Sequence, residues 1–385
     1  MWRCSSATPL PRRSEGMGSK YKGTDQHAPR AGLNRLRRAN QKDAGRSSGW
    51  ERLSDDDASM ERAAPVGKTS HFAVSVLARF NRLAGGDTPE GPEGTISGFQ
   101  GNLVVVRAAD GGETSCSLRR NLLKRIGGVR NPLAVGDRIH WLPDQAVITS
   151  VRPRRSVLAR ADSHNKALIH VLAANLDLVL VVGALTRPTF KPGFIDRALV
   201  LAAANGLDAA VVLTKSDLVD PAPALATYTG LGIPAFAVRH DRDDHHADLR
   251  ALLAGRTVVV AGQSGVGKST LLNALFGLSL RTGEVDEDGL GRHTTTSAKS
   301  IPVGDGTVLV DTPGVRECAI TGMTGLDVCL LMPDLARFHP QCRFADCTHD
   351  HEPDCAVQAA VERGDIAVSR YLSYRAMVAE DLAQG

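Results

Sequence analysis

The chain has 385 residues, which exceeds the usual size of a domain with a single hydrophobic core. Its length therefore predicts two or three domains. Hydrophobic residues make up 42% of the chain and charged residues 23%, which excludes a wholly disordered or a fibrous protein. The formal net charge is +4 and no apolar run is long enough to cross a bilayer, so we expect a cytoplasmic protein with no membrane contact.

Residues 1–91 are predicted to form a basic and mostly disordered N-terminal extension. The first fifty residues carry eleven Lys and Arg against three Asp and Glu. Ser, Gly, Arg and Asp dominate the first seventy, and no helical or strand period is sustained there. The beginning also resembles an organellar transit peptide, and the alternatives are a flexible basic arm and a reading frame begun upstream of the true start.

Residues 92–157 are predicted to form a small β-barrel of the OB type. Short apolar runs at 102–107, 114–118 and 146–151 are separated by glycine-containing turn signals. The open face of an OB-fold often binds single-stranded nucleic acid. The basic residues that predict RNA contact are Arg119, Arg120, Lys124, Arg125, Arg130, Arg152, Arg154 and Arg155. The alternative is a solvated cationic surface, because no stacking aromatic residues are interleaved with them.

Residues 158–333 are predicted to form an α/β domain whose parallel sheet is covered by helices on both faces. The aliphatic run at 176–182 is typical of a buried parallel strand, and residues 194–204 carry apolar side chains at helical spacing. Further strands are expected at 209–213 and 257–261.

The strand at 257–261 leads into a full match to the phosphate-loop pattern G-x-x-x-x-G-K-[ST]. The loop consists of Gly262, Gln263, Ser264, Gly265, Val266, Gly267, Lys268, Ser269 and Thr270, with a helix predicted at 269–276. Its glycines allow backbone N–H groups to converge on phosphate oxygens, at the positive end of that helix. Lys268 is expected to bridge the β- and γ-phosphates and Ser269 to ligate Mg²⁺, and the alternative is a glycine-rich turn without a ligand.

A candidate guanine-binding motif follows the strand at 209–213, where ligands of open α/β sheets collect. It consists of Thr214, Lys215, Ser216 and Asp217. The Asp217 carboxylate could accept two hydrogen bonds from guanine, which adenine cannot supply, while the stem of Lys215 packs along the base. GTPases usually carry Asn where this chain has Thr214, a departure expected to weaken some contacts that brace the loop. Such a tetrapeptide also arises by chance.

Two further segments are expected to sense the γ-phosphate. Asp311 follows a predicted strand at 307–310 and could hold a water of Mg²⁺, and Gly314 could offer its amide to the γ-phosphate. Thr295, with its neighbours as alternatives, lies in a Gly-Arg-His-Thr-Thr-Thr segment and could ligate Mg²⁺ when GTP is bound. Each segment alone is also compatible with an ordinary polar turn.

Residues 334–385 are predicted to form a small helical domain around a cluster of cysteine and histidine. Cys342, Cys347, His349 and Cys355 fall within fourteen residues, which suits a closed tetrahedral Zn²⁺ site. Disulfides are the rival, but a cytoplasmic enzyme keeps its thiols reduced. His351 is an alternative ligand, and the four remaining cysteines, Cys329 among them, are scattered and resemble structural or incidental residues.

The order of these motifs is permuted, because the guanine motif precedes the phosphate loop, which precedes the threonine segment and Asp311. In this order, together with the leading barrel and the cysteine cluster, residues 92–385 resemble the circularly permuted GTPases of the RsgA family. The resemblance implies a GTPase that binds GTP or GDP with Mg²⁺ and carries one structural Zn²⁺. It also implies that the protein binds the small (30S) ribosomal subunit and its 16S rRNA late in maturation, and that the subunit stimulates hydrolysis. Nothing in the sequence requires more than a monomer.

The catalytic groups are harder to predict. Many GTPases place a water-orienting Gln where this chain has Val315, so slow turnover is expected in isolation. Besides Lys268, the candidate is His293, as general base or water-positioner, and the alternative is an exposed histidine with no catalytic role. A nucleotide-gated RNA-binding switch with slow hydrolysis remains open. An ATP-dependent kinase-like enzyme is disfavoured by Asp217.

Overall fold

The computed structural model describes residues 77–78, 80–82, 84, 88–122, 133–161, 169–239, 246–279, 298–312, 318, 320 and 323–383. Most of the predicted N-terminal extension therefore lies outside the described residues. No helix within the described ranges is long and apolar enough to span a membrane.

Five short strands close into a barrel near the start of the described chain. They are β1 (Glu93–Gln100), β2 (Leu103–Arg107), β3 (Glu113–Leu118), β4 (Arg138–Leu142) and β5 (Val147–Val151). The hydrogen-bonded order is β1-β2-β3-β5-β4, and β4 pairs back to β1, so the barrel has no free edge. Its interior is apolar, with Ile96, Val106, Ile139 and Ile148 fully buried.

The barrel core begins earlier in the chain than residue 92. The described residues between 77 and 84 are helical, and Phe80 and Ala84 are buried against the barrel. Arg154 lies with its guanidinium 3.2 Å from the centre of the Phe80 ring, and Asn81 accepts a 2.7 Å hydrogen bond from the Arg154 amide. The last part of the predicted disordered extension is thus folded. Its signal was the spacing of Leu77, Phe80 and Ala84, one apolar face of a short helix that was not predicted.

The remaining strands build the α/β part, with a small hairpin before it. The hairpin consists of β6 (Val157–Ala161) and β7 (Ile169–Ala174). The sheet then uses β8 (Leu178–Ala184), β9 (Asp208–Thr214), β10 (Ala235–Val238), β11 (Thr257–Ala261), β12 (Lys299–Pro302) and β13 (Val308–Asp311). Strands β10-β9-β8-β11-β13 are parallel in that order, and β12 runs antiparallel to β13.

Helices cover both faces of this sheet, as the sequence predicts. They are α1 (Pro192–Ala204), α2 (Ala222–Thr229), α3 (His246–Leu253) and α4 (Lys268–Phe276). One face packs against α1, and the other buries Leu249 of α3 and Leu271 of α4. The strand β8 is buried at every position, because both of its faces meet helices.

The C-terminal residues form short helices that pack on α1. They are α5 (Gly325–Leu330), α6 (Pro333–Ala336), α7 (Ala356–Arg363) and α8 (Val368–Ala383). A buried charge network joins them to the sheet domain: Arg370 of α8 donates to Asp196 of α1 at 2.6 Å and to both carboxylate oxygens of Asp334 at 2.8 and 2.9 Å. Burial raises the pKa of the Asp196 carboxyl, and the charge of Arg370 opposes that rise.

Replacement of Arg370 is expected to destabilise the protein strongly. The variant Arg370→Met removes the cation between two buried carboxylates, and leaving such charges unpaired costs about 3–5 kcal/mol. Arg363→Met is the control, since Arg363 pairs with Asp365 on the surface. Urea unfolding of both variants is the measurement. Equal midpoints would contradict the structural role of the network.

Candidate functional site

Three of the predicted motifs meet at one edge of the sheet. The guanine motif follows β9, the phosphate loop follows β11 and Asp311 ends β13. These strands are parallel and lie within the order β9-β8-β11-β13, so their carboxyl ends share one edge. This arrangement brings residues that are distant in sequence around one cleft. Motifs in a permuted order can form a single site only if they meet in space in this way.

The phosphate loop curves tightly between β11 and α4. Gly265 and Gly267 adopt φ values of +75° and +90°, which favour glycine, and a side chain at Gly262 would approach the Val182 carbonyl oxygen to 2.6 Å. The Nζ atom of Lys268 donates to the carbonyl oxygens of Gly262 at 2.8 Å and Gln263 at 2.6 Å. The ammonium thus lies inside the curve of the loop, at the start of α4, where a phosphate anion is stabilised.

Lys215 ties the guanine motif to the phosphate loop. Its Nζ atom donates to the carbonyl oxygen of Gly265 at 3.3 Å and also to that of Arg187. The side chain therefore spans from the end of β9 to the loop after β11. A base lying along this stem would have its phosphates directed at the loop.

Thr214 braces the phosphate loop directly. Its hydroxyl donates to the carbonyl oxygen of Val266 at 2.6 Å and lies 3.3 Å from that of Gly183. The sequence predicts weaker bracing because Thr replaces the usual Asn. A direct contact with the loop is nevertheless kept, since the short hydroxyl reaches Val266 from the strand end.

Asp217 has an unsatisfied buried oxygen. Its Oδ1 atom is shielded from solvent and has no hydrogen-bond partner among the described residues. Buried acceptors in folded proteins are almost always paired, so this oxygen indicates a missing donor. The N1–H and exocyclic amine of guanine would supply such donors.

The γ-phosphate side of the site is described only in part. Asp311 ends β13 at the sheet edge, as predicted. His293, Thr295 and Gly314 lie outside the described residues, and so does Val315. Their predicted roles are therefore untested by the geometry.

The cysteine and histidine side chains converge at a second centre. Cys342, Cys347, His349 and Cys355 offer ligand atoms that all lie within 4.8 Å of one another. The Nδ1 atom of His349 is 3.3 Å from Cys355 Sγ and 3.7 Å from Cys342 Sγ, and these two sulfurs are 4.0 Å apart. Tetrahedral Zn²⁺ with its usual bond lengths separates its ligand atoms by about 3.5–3.8 Å. The donor set and its spacing therefore fit zinc.

The protonation of this cluster also fits a cation. Burial raises the pKa of the Cys347 thiol to about 12 and lowers the pKa of His349 to about 4. The imidazole is thus neutral, as a ligand must be, and the buried thiols would lose their protons only beside a cation. All six described cysteines are free, so the rival disulfides are not formed. The side chain of His351 is 81% exposed and lies outside the cluster, so it is not a ligand here.

Two residues that contact His349 on its other ring nitrogen were not predicted from the sequence. The Nε2 atom of His349 lies 3.2 Å from Cys329 Sγ and 3.2 Å from His339 Nδ1. A hydrogen bond at Nε2 fixes the tautomer that presents Nδ1 to a cation. Cys329 is therefore not incidental. No local pattern could reveal it, because twenty residues separate it from His349.

Known proteins resemble this chain over most of its length. The sequence profile described as RsgA GTPase matches residues 151–321. A Porphyromonas gingivalis protein named small ribosomal subunit biogenesis GTPase RsgA is 36% identical over 310 residues, covering 76% of this chain and 98% of the relative. The chain belongs to the RsgA GTPase family. It is thus a GTP hydrolase, and the family implies binding of GTP or GDP with Mg²⁺.

Solved structures agree with this assignment to the RsgA family. YjeQ from Thermotoga maritima has a TM-score of 0.59 and 32% identity, over 76% of this chain and 98% of its own. YloQ, described as a circularly permuted GTPase, has a TM-score of 0.56 and 26% identity, over 77% of this chain and 96% of its own. The permuted order read from the motifs is therefore shared with a solved structure.

Several basic residues of this RsgA-family barrel are engaged within the protein. Arg154 is fully buried and bound to Asp137, so the prediction that it contacts RNA is wrong. Arg119 pairs with Glu90, Arg152 with Glu93 and Arg155 with Asp177, although these arginines keep exposed surface. Lys124, Arg125 and Arg130 lie outside the described residues.

Loss of the Thr214 hydroxyl is expected to weaken nucleotide binding. Thr214→Val keeps the shape but leaves the Val266 carbonyl without its donor, which corresponds to about a 5- to 30-fold loss of GDP affinity. Thr214→Ser keeps the donor and is the matched control, expected to bind within about twofold of the natural chain. Titration with fluorescent GDP measures both. Equal GDP affinities of the two variants would show that the Thr214 hydroxyl does not stabilise the phosphate loop.

Proposed function

We propose that this GTPase binds the small ribosomal subunit and acts late in the maturation of that subunit, which stimulates its hydrolysis of GTP. The observation that carries the nucleotide assignment is the unsatisfied Asp217 oxygen beside a lysine that reaches the phosphate loop. The printed name of the P. gingivalis relative supports the subunit. The 16S rRNA is the proposed contact, and the protein is proposed to work as a cytoplasmic monomer.

Each domain has a role in this proposal. The barrel at 92–157, preceded by the helical residues from 77, contacts RNA through its exposed basic side chains. The permuted GTPase domain at 158–333 holds the nucleotide, and the domain at 334–385 is shaped by one Zn²⁺ on Cys342, Cys347, His349 and Cys355. Zinc supplies the cation that stabilises their thiolates.

The proposed nucleotide site combines the described motifs with the predicted ones. Asp217 accepts from the guanine edge and Lys215 packs along the base, with Thr214 and Ser216 completing the motif. The backbone amides of 262–270 and the Lys268 ammonium bind the phosphates. Ser269, Thr295 and Asp311 would hold Mg²⁺, which neutralises charge on the β- and γ-phosphates. Gly314 would contact the γ-phosphate, and His293 would orient the attacking water.

Multiple-turnover phosphate release tests this function. We expect slow release by the protein alone and at least tenfold faster release with purified small subunits, but no stimulation by large subunits. Lys268→Ala controls for contaminating GTPases and should remove the activity under all conditions. A natural chain that gains less than threefold from small subunits would instead be a binding switch with slow hydrolysis.

A further inference from the structure

We propose that Arg107 is a positioning residue that couples the barrel to Asp311 at the nucleotide site, through the short strand β12. This proposal rests on the proposed function, because its consequence is that RNA binding by the barrel would change the position of Asp311 through β12. The observations that carry it are one row of paired residues and one arginine clamp.

The row crosses four neighbouring strands. Lys299 of β12 pairs with Gly98 of the barrel strand β1 on one side and with Asp311 of β13 on the other. Gly98 pairs in turn with Val105 of β2. A continuous ladder therefore leads from the barrel wall to the predicted Mg²⁺ carboxylate. Strands held in one ladder shift together, because slippage by one residue would move every side chain to the opposite face.

Arg107 clamps this ladder from the barrel side. Its Nη1 atom donates to Ser300 Oγ at 3.2 Å, and its Nη2 atom donates to the Ser300 carbonyl oxygen at 2.6 Å and to Glu113 at 2.6 Å. The Arg107 side chain is 15% exposed and Ser300 is buried. Ser300 pairs with Val310, the residue before Asp311. The Arg107 guanidinium thus binds β12 one residue away from the pair formed by Lys299 and Asp311.

Electrostatics keep the clamp in place. A hydrogen bond from Ser97 lowers the pKa of Glu113 against the opposing effect of burial, and the charges of Arg107 and Lys299 lower it further. Glu113 is therefore an anion at neutral pH and binds the same Nη2 atom that donates to the Ser300 carbonyl. Lysine could not reproduce this contact, because a point charge lacks the planar fork.

A second connection joins the barrel to the sheet at the amino ends of its parallel strands, opposite the end that holds the nucleotide motifs. Asn175, just before β8, donates to the Gly136 carbonyl at 2.8 Å and accepts from the Arg155 amide at 3.0 Å. Because β8 runs from there toward the nucleotide, this joint lies away from the site. The barrel is thus anchored far from the nucleotide at this joint, while among the described strands β12 links it to the catalytic edge.

Subunit-stimulated hydrolysis separates coupling from binding. Arg107→Gln removes the fork, and Arg363→Gln is the matched control, since Arg363 forms a surface pair with Asp365 outside the barrel. We expect Arg107→Gln to bind small subunits as tightly as the control and to keep the basal rate, while its stimulation falls at least fivefold. Equal stimulation of both variants overturns the proposal. If Arg107→Gln does not fold, Ser300→Ala replaces it, with a loss of at least twofold expected.

Hydrogen exchange tests the coupling without ribosomes, so it distinguishes a failed coupling from a failed function. In the natural chain, exchange of the β1 and β2 amides should differ between the GDP state and a state with a non-hydrolysable GTP analogue. Arg107→Gln should abolish that difference and Arg363→Gln should retain it. No nucleotide dependence in the natural chain, or the same dependence in Arg107→Gln, overturns the proposal.

Discussion

Asp217→Asn is expected to change the base preference of the enzyme from guanine to xanthine. The carboxylate presents two acceptors, and the substitution turns one of them into a donor that faces the exocyclic amine of guanine. Xanthine carries a carbonyl oxygen in place of that amine and would accept from the new donor. Sites built on hydrogen bonds to a base reject the mismatched analogue by about 10⁴-fold, so we expect at least a hundredfold loss of GDP affinity.

Competitive binding of GDP, xanthosine diphosphate and ADP to both proteins measures this change. The natural chain should prefer GDP, and the variant should prefer xanthosine diphosphate. Ser216→Ala, in the same motif, is the control that should leave the preference unchanged. A variant that loses all three nucleotides equally would show that Asp217 supports the loop rather than the base.

Removal of zinc is expected to unfold the C-terminal helices. Structural zinc sites contribute about 10–16 kcal/mol to folding at neutral pH, more than a small helical domain can replace. Here the cluster also positions the loop that receives hydrogen bonds from Tyr371 to the His349 carbonyl at 2.7 Å and from Tyr374 to the Thr348 carbonyl at 3.0 Å. Loss of the cation would release both contacts and expose the helices behind them.

Cys347→Ala and Cys116→Ala form the matched pair for this test. Both remove a buried free thiol, but Cys116 lies in the barrel core and contacts no cluster residue. Atomic spectroscopy should find about one zinc per chain in Cys116→Ala and much less in Cys347→Ala, and only the latter should lose helical signal at lower temperature. Equal zinc content in the two variants would contradict the ligand assignment.

The sequence predicts the phosphate loop and its strand best, because local pattern and tertiary structure agree there. The strand predicted at 257–261 is found with the same ends, and α1 starts two residues early because Pro192 suits the first turn of a helix. In the barrel, β1 and β4 were not predicted. Gly94 and Gly98 interrupt the apolar alternation of β1, whereas the alternation of β4, with Arg138 and His140 outward, is regular but only five residues long and was overlooked.

Contacts between distant residues could not be read from the chain. The clamp of Arg107 on Ser300 spans 193 positions, and the pair of Arg370 with Asp196 spans 174. Neither leaves a periodic signal, because each depends on how whole elements pack. Spacing rules likewise missed His339 and Cys329, which both contact the buried His349.

The charge network around Arg370 also limits where the chain can be truncated without loss of folding. Asp196 belongs to the helix that covers the nucleotide-binding sheet, yet its counter-ion comes from the last helix of the chain. A shortened protein that ended at residue 333 would keep this carboxylate and lose the arginine, along with the apolar cover over that helix. The catalytic sheet and the C-terminal tail are therefore expected to fold and evolve as one unit, which cannot be exchanged piecewise among relatives.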